Sequence, residues 1–115
     1  MPLLKLETTV VISEEKRKTL LTSLSKTLAE TIGKPEQYVM VSVSQAGLLM
    51  SGKADEAAFV DIRSIGGLND GVNRKLSQQV CKLLNDLLGI PSARVYLNFT
   101  DVKASNWGYD GSTFG

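Results

Sequence analysis

A displacement of 56 positions lays this chain on itself. Ser13 falls on Asn69, Leu20 on Leu76, Leu24 on Val80, Leu28 on Leu84, Gly33 on Gly89, Pro35 on Pro91 and Val39 on Val95. The paired residues send the same structural signals. Ser13 and Asn69 (or Asp70) can cap a helix, their side-chain oxygens accepting from N–H groups that the first turn leaves free. The apolar residues behind them recur four apart, the spacing of one helix face. Gly33 and Gly89 can take the left-handed conformation that ends a helix, and Pro35 and Pro91 cannot continue one. Any two capped, glycine-stopped helices share some of this. Agreement of cap, stripe, stop and following strand at a single offset points further, to a duplicated β-α-β unit.

The flanking segments read as strands. Leu3 to Val10 alternates, with Leu4, Leu6, Thr8 and Val10 on the better-buried face. Tyr38 to Ser44, Ala57 to Ile62 and Arg94 to Thr100 supply the other three, and Gly47 to Gly52 reads as a turn with a short extended piece. Glu14 and Glu15 favour the start of the first helix, where the backbone dipole attracts negative charge. Leu21 and Ile32 join the first stripe, and Leu83 and Leu87 the second. The expected fold is therefore one α+β domain over 1–115, with halves of about 1–56 and 57–115. Two β-α-β units give a four-stranded mixed sheet with both helices on one face. The other face would lie bare, and an exposed apolar sheet of several hundred Å² marks a contact with another subunit.

A chain of 115 residues builds one core but no large enclosed pocket, so a pocket would draw on a second subunit. Thirteen basic and twelve acidic side chains nearly cancel, which gives no electrostatic reason to expect nucleic acid or a membrane as partner. An RNA-recognition domain shares the element order, but its aromatic strand motifs are absent here. With one cysteine, Cys81, and no histidine, internal disulfides, Cys/His zinc sites and histidine triads are excluded. Neither metal nor cofactor is expected. No stretch reads as a signal peptide or a spanning helix, so the expected compartment is the reducing cytoplasm.

Acid–base chemistry must then come from another group. Pro2 follows Met1, and removal of Met1 would leave a secondary amine at the chain start. An α-amino group titrates near pH 7.7 to 8, and burial or a nearby cation lowers that value into the range where a general base works best. Read by itself, Pro2 is also a plausible strand-edge residue.

The landmarks together resemble the macrophage migration inhibitory factor family of the tautomerase superfamily, from one end of the chain to the other. They are Pro2, the stretch Gly33-Lys34-Pro35-Glu36-Gln37-Tyr38-Val39-Met40, the triplet Ser64-Ile65-Gly66 followed by Gly67, the strand Arg94-Val95-Tyr96-Leu97-Asn98-Phe99, and the tail from Asn106 to Gly115. The resemblance implies a homotrimer with active sites at subunit boundaries. It implies keto–enol tautomerisation of α-keto acids of the phenylpyruvate type and of dopachrome derivatives, with Pro2 as the base. Lys34 matches the family's pocket lysine, which would bind a substrate carboxylate or stabilise enolate charge; alone it reads as a lysine at a helix C-terminus. Ile65 matches a backbone N–H contact, and alone reads as a strand-end core residue. Tyr96 and Asn98 alternate onto one strand face, which the resemblance places in a neighbour's pocket. Tyr38, Trp107, Tyr109 and Phe114 would form an aromatic rim, though aromatics in a mobile tail also serve as packing anchors.

Two departures bear on function. Where some family members carry a Cys-x-x-Cys pair, this chain reads Ala57-Ala58-Phe59-Val60, which removes a thiol oxidoreductase role. Trp107 and Tyr109 stand where vertebrate members have a smaller residue and a tryptophan, so the rim differs in shape, and Lys5 and Arg63 add charge near its mouth. Members in animals act as cytokines and leave the cell without a signal peptide, so the resemblance also implies a rival reading: an interaction protein with a receptor as partner and a vestigial pocket.

Overall fold

The computed structural model describes residues 1–115, and its elements repeat at the offset read from the sequence. Strand β1 (Pro2–Thr8) is followed by helix α1 (Glu14–Ile32) and strand β2 (Met40–Gln45); strand β3 (Ala58–Ser64), helix α2 (Asp70–Leu88) and strand β4 (Val95–Asp101) repeat the series. Ser13 accepts from the Lys16 N–H and Asn69 from the Val72 N–H, so each helix begins at its expected cap. Asn69, rather than Asp70, is the cap of α2. Gly33 (φ 78°) and Gly89 (φ 70°) end the helices in the left-handed region.

The sheet runs β2-β1-β3-β4. Each half pairs its two strands in parallel, and β1 meets β3 antiparallel, joining the halves about a pseudo-twofold axis. Register repeats too: Leu3 stands beside Met40, and Phe59 beside Tyr96. Leu4, Leu6, Val60 and Ile62 are fully buried against Leu20, Leu24 and Leu28 of α1 and Leu76, Val80 and Leu84 of α2. Leu21, Leu83 and Leu87 lie at the margins of the stripes, half-buried rather than enclosed.

Strand boundaries shift by one or two residues from the sequence reading, for local reasons. After Pro35 and Pro91 the chain first makes a short 3-10 turn, Glu36–Tyr38 or Ser92–Arg94, so Tyr38 and Arg94 precede their strands rather than open them. Thr8 ends β1 because its hydroxyl, fully buried, donates to the Ala57 carbonyl and accepts from the Val10 N–H, bending the chain away.

Two expectations need correction. The uncovered sheet face is mixed rather than apolar: β1 and β3 present Lys5, Glu7, Asp61 and Arg63 there among Leu3 and Phe59, β2 adds Met40, Ser42 and Ser44, and Tyr96 and Asn98 follow in register on β4. The tail is not a mobile extension. A 3-10 turn at Ala104–Asn106 leads into a hairpin of β5 (Gly108–Tyr109) and β6 (Ser112–Thr113). Asp110 and Gly111 turn it with φ of 51° and 75°, the paired left-handed geometry that suits Asp-Gly between strands. No helix is long and apolar enough to cross a membrane.

Candidate active site

The chain start, the β2 approach and the C-terminal hairpin meet in a cleft of about 490 Å³. Met1, Pro2 and Leu3 line it together with Gln37 through Met40, Arg63 and Val102, and Asn106, Trp107, Gly108, Tyr109 and Phe114 join them from the C-terminal segment. The rings hold one another in place. Tyr109 stacks on Phe114 with centroids 5.0 Å apart and meets Tyr38 edge-on at 6.2 Å. Such offset and T-shaped pairs suit the ring quadrupole. The hairpin is fastened where the Phe114 N–H donates to the Trp107 carbonyl.

At the head of this cleft lies the terminal amine. Burial lowers its pKa from the ordinary α-amino value, and the Lys34 ammonium lowers it further, since both disfavour a second positive charge. In the chain as it stands that amine belongs to Met1, and the Pro2 nitrogen is an amide that marks where a secondary amine would sit after Met1 is removed. Pro2 is buried and faces Ser64 across the β1–β3 pair.

Ile65 and Lys34 stand beside the amine without lining the open cleft. Ile65, half-buried, follows Ser64 into a turn in which Gly66 and Gly67 have φ of 72° and 81°. The turn is braced: the Ser64 hydroxyl donates to the Gly66 carbonyl at 2.7 Å and the Gly66 N–H donates to Asp101 Oδ1 at 3.0 Å. A Cβ on Gly67 would stand 2.7 Å from Ile32 Cγ2, too close for either to stay in place, and would only touch Lys34 Cε at 3.4 Å, so it is Ile32 that requires the bare glycine.

Tyr96 and Asn98 are elsewhere. Tyr96 pairs with Phe59, which pairs with Glu7, five residues along β1 from Pro2; at the strand rise that is roughly 16 Å. Asn98 reaches Lys5 through Asp61, three residues or roughly 10 Å from Pro2. One chain does not bring these two side chains to its own cleft.

The duplication has made a second hollow that lacks the chemistry. Ala58, Phe59 and Tyr96, the repeat partners of Pro2, Leu3 and Met40, line an apolar recess of about 190 Å³ closed by Leu48 to Ser51. Position 58 lies mid-chain, so its nitrogen is a peptide amide and no base. Arg94, at the position repeating Tyr38, donates instead to the carbonyls of Met50, Lys53, Asp55 and Glu56 and pins the loop that fills the recess.

Sequence reasoning did not place Gln37, Met40 or Asn106 in the cleft, and it put Arg63 only near the mouth. Gln37 and Met40 lay inside the quoted Gly33–Met40 stretch, but only the hairpin docking on that stretch turns them into a wall. Cys81, half-buried on α2, has its thiol pKa raised by burial, and it lies outside the cleft.

Comparison with known proteins gives a consistent result. Residues 1–115 match the family described as Macrophage migration inhibitory factor (MIF). A macrophage migration inhibitory factor homolog of Trichuris trichiura is 41% identical over 115 residues, covering 99% of this chain and 100% of that protein. The crystal structure of a macrophage migration inhibitory factor-like protein from Entamoeba histolytica superposes with a TM-score of 0.94 at 41% identity, covering 98% of each chain. The Toxoplasma gondii protein superposes with a TM-score of 0.95 at 31% identity, covering 97% of this chain and 99% of that one.

Proposed function

This chain belongs to the macrophage migration inhibitory factor family, and on that premise we propose that it is a cofactor-free keto–enol tautomerase, an isomerase of the phenylpyruvate and dopachrome type, whose base is the Pro2 amine freed by removal of Met1. The observation that carries this reading is the surroundings of the chain terminus: Pro2 lines an aromatic cleft, and the Met1 amine next to it has its pKa lowered by burial and by Lys34.

The chemistry follows from what an amine in that place can do. As a free base, the secondary amine takes a proton from C3 of an α-keto acid, and electrons move to the carbonyl oxygen as the enolate forms. The ring fixes the lone-pair direction, so little orientational freedom is lost on reaching the substrate C–H. Returned to the other end of the enolate system, the proton completes the isomerisation and regenerates the base. Lys34 disfavours the ammonium form between turnovers and stabilises negative charge on the enolate or the carboxylate. An N–H from the Ile65 turn binds the acid end. Tyr38, Trp107, Tyr109 and Phe114 hold an aromatic substrate ring.

The same reading requires a homotrimer. β2 and β4 are edge strands with unpaired backbone groups, and Tyr96 and Asn98 lie too far from Pro2 to serve their own cleft. A neighbouring copy would bring both, Tyr96 to stack or bond and Asn98 to hydrogen-bond a ring hydroxyl. We assign the protein to the cytoplasm, with export by a route that needs no signal peptide. Intact mass and an ultraviolet assay of phenylpyruvate ketonisation test the mechanism together. Met1 should be absent, and Pro2→Ala and Pro2→Gly should each lose at least tenfold in rate, about 1.4 kcal/mol of transition-state stabilisation. Full activity with Met1 retained would refute the mechanism, since an amide nitrogen is no base.

A second reading rests on the names of the relatives, among them the Rattus norvegicus macrophage migration inhibitory factor at 42% identity over 95 residues. On that reading the protein acts by binding a receptor and its pocket is vestigial. A Pro2→Ala protein that retained full effect on cell migration would favour it.

A further inference from the structure

We propose that Arg63 is the carboxylate anchor of the cleft, which leaves Lys34 to act on the base and the enolate oxygen. This assignment rests on the tautomerase reading for its substrate class, an aromatic α-keto acid. Arg63 lines the cleft with Pro2, whereas Lys34 does not. On β3 it stands in register with Leu3, next along β1 from Pro2, on the uncovered sheet face. Asp61, two residues back on the same face, takes only one side of the guanidinium: Nη2 donates to Oδ2 at 3.0 Å and Nε to the same oxygen at 3.3 Å. Nη1 makes no hydrogen bond within the chain, and the side chain is 53% exposed. A guanidinium has two usable forks. Asp61 holds the Nε–Nη2 side, and the Nη1–Nη2 side remains free with its plane already set. Two parallel N–H groups of that kind match the two oxygens of a carboxylate.

Asp61 orients the fork through one edge and leaves the other open. Lys5 stands directly across from Asp61 in the sheet register, yet the carboxylate pairs with Arg63 alone. Asp61 is the more enclosed partner, with 19% of its side chain exposed, and Arg63 is the more accessible one. Arg63 is the only Lys, Arg, Asp or Glu among the residues lining the cleft.

Binding can be read without turnover, because Trp107 is the only tryptophan and lines the cleft. Its fluorescence is titrated with 3-phenylpropanoate, which has no keto group to react, and with 3-phenylpropanamide, its neutral counterpart. The wild-type protein should favour the acid. Arg63→Gln should weaken the acid by at least about tenfold, as expected for loss of a charge-assisted pair, and leave the amide unchanged. Arg63→Lys should recover only part, because an ammonium restores charge without the fork. With phenylpyruvate, Arg63→Gln should raise KM while kcat changes little. Equal titrations for wild type and Arg63→Gln overturn the assignment, as does loss of the acid preference in Lys34→Ala but not in Arg63→Gln. Failure of the tautomerase reading looks different: the wild-type protein would leave phenylpyruvate unchanged while still preferring the acid to the amide.

Discussion

On the proposed mechanism Pro2, Lys34 and Arg63 divide one task among three nitrogen groups. An amine that must alternate between base and conjugate acid needs a pKa near working pH, and at the neighbouring Met1 amine burial followed by Lys34 lowers the pKa in that direction. The sign of the pH dependence follows. Only the neutral amine is active, so kcat/KM should rise with pH and level off above the amine's pKa, with a midpoint below the ordinary α-amino value. Lys34→Ala removes the second of the two causes. Its rising limb should therefore move to higher pH but stop short of the ordinary value, because burial persists. A kcat/KM profile against pH measures this directly, and an unmoved limb in Lys34→Ala would show that the lysine's charge does not reach the base. Pro2 was legible because chain position alone makes its nitrogen special. Arg63 was only half legible: its charge could be read, but its place beside Pro2 depends on how β1 and β3 pair.

Two glycines show the difference between local and tertiary demands on an element. Gly33 ends α1 with φ of 78°, and a Cβ there would meet nothing within 4 Å. Gly33→Ala should cost only the left-handed backbone penalty, roughly 1 to 2 kcal/mol. Gly67 has the same sign of φ, but its Cβ would stand 2.7 Å from Ile32 Cγ2 at the end of α1. Gly67→Ala adds steric displacement to the backbone cost and should lose roughly 2 to 4 kcal/mol. Urea denaturation of both variants ranks them, and an equal loss would mean that Ile32 gives way freely. Gly33 announces its role through the stripe before it and the proline after it. Gly67 gives no such notice, since its constraint comes from a helix more than thirty positions away. The C-terminal hairpin is the reverse case: Asp110-Gly111 was a readable turn signal that the strand reading passed over, because strands of two residues leave almost no alternation to see.

At the scale of the molecule, duplication makes two clefts and sequence divergence leaves chemistry in one. Pro2 and Tyr38 have Ala58 and Arg94 as their repeat partners; position 58 is mid-chain and has only an amide nitrogen, and the second hollow is closed by the loop that Arg94 pins. If Tyr96 of one copy completes the Pro2 cleft of another, two defective chains can repair each other. Tyr96→Ala and Pro2→Ala should each be weak alone, yet regain part of the wild-type rate when unfolded together and refolded as mixed trimers. Sedimentation should show a three-chain species, and no gain on mixing would mean that the cleft is complete within one chain. The sequence by itself determined what is local or periodic: caps, stripes, stops and the repeat. Each depends on residues a few positions apart or on a recurring offset, and such signals survive without coordinates. Only the tertiary structure decided which residues share the cleft, why Gly67 must be bare, and that the open sheet face mixes charged residues with apolar ones. Those facts depend on strand register and on helix and hairpin docking, which bring together positions whose separation along the chain carries no trace of the contact.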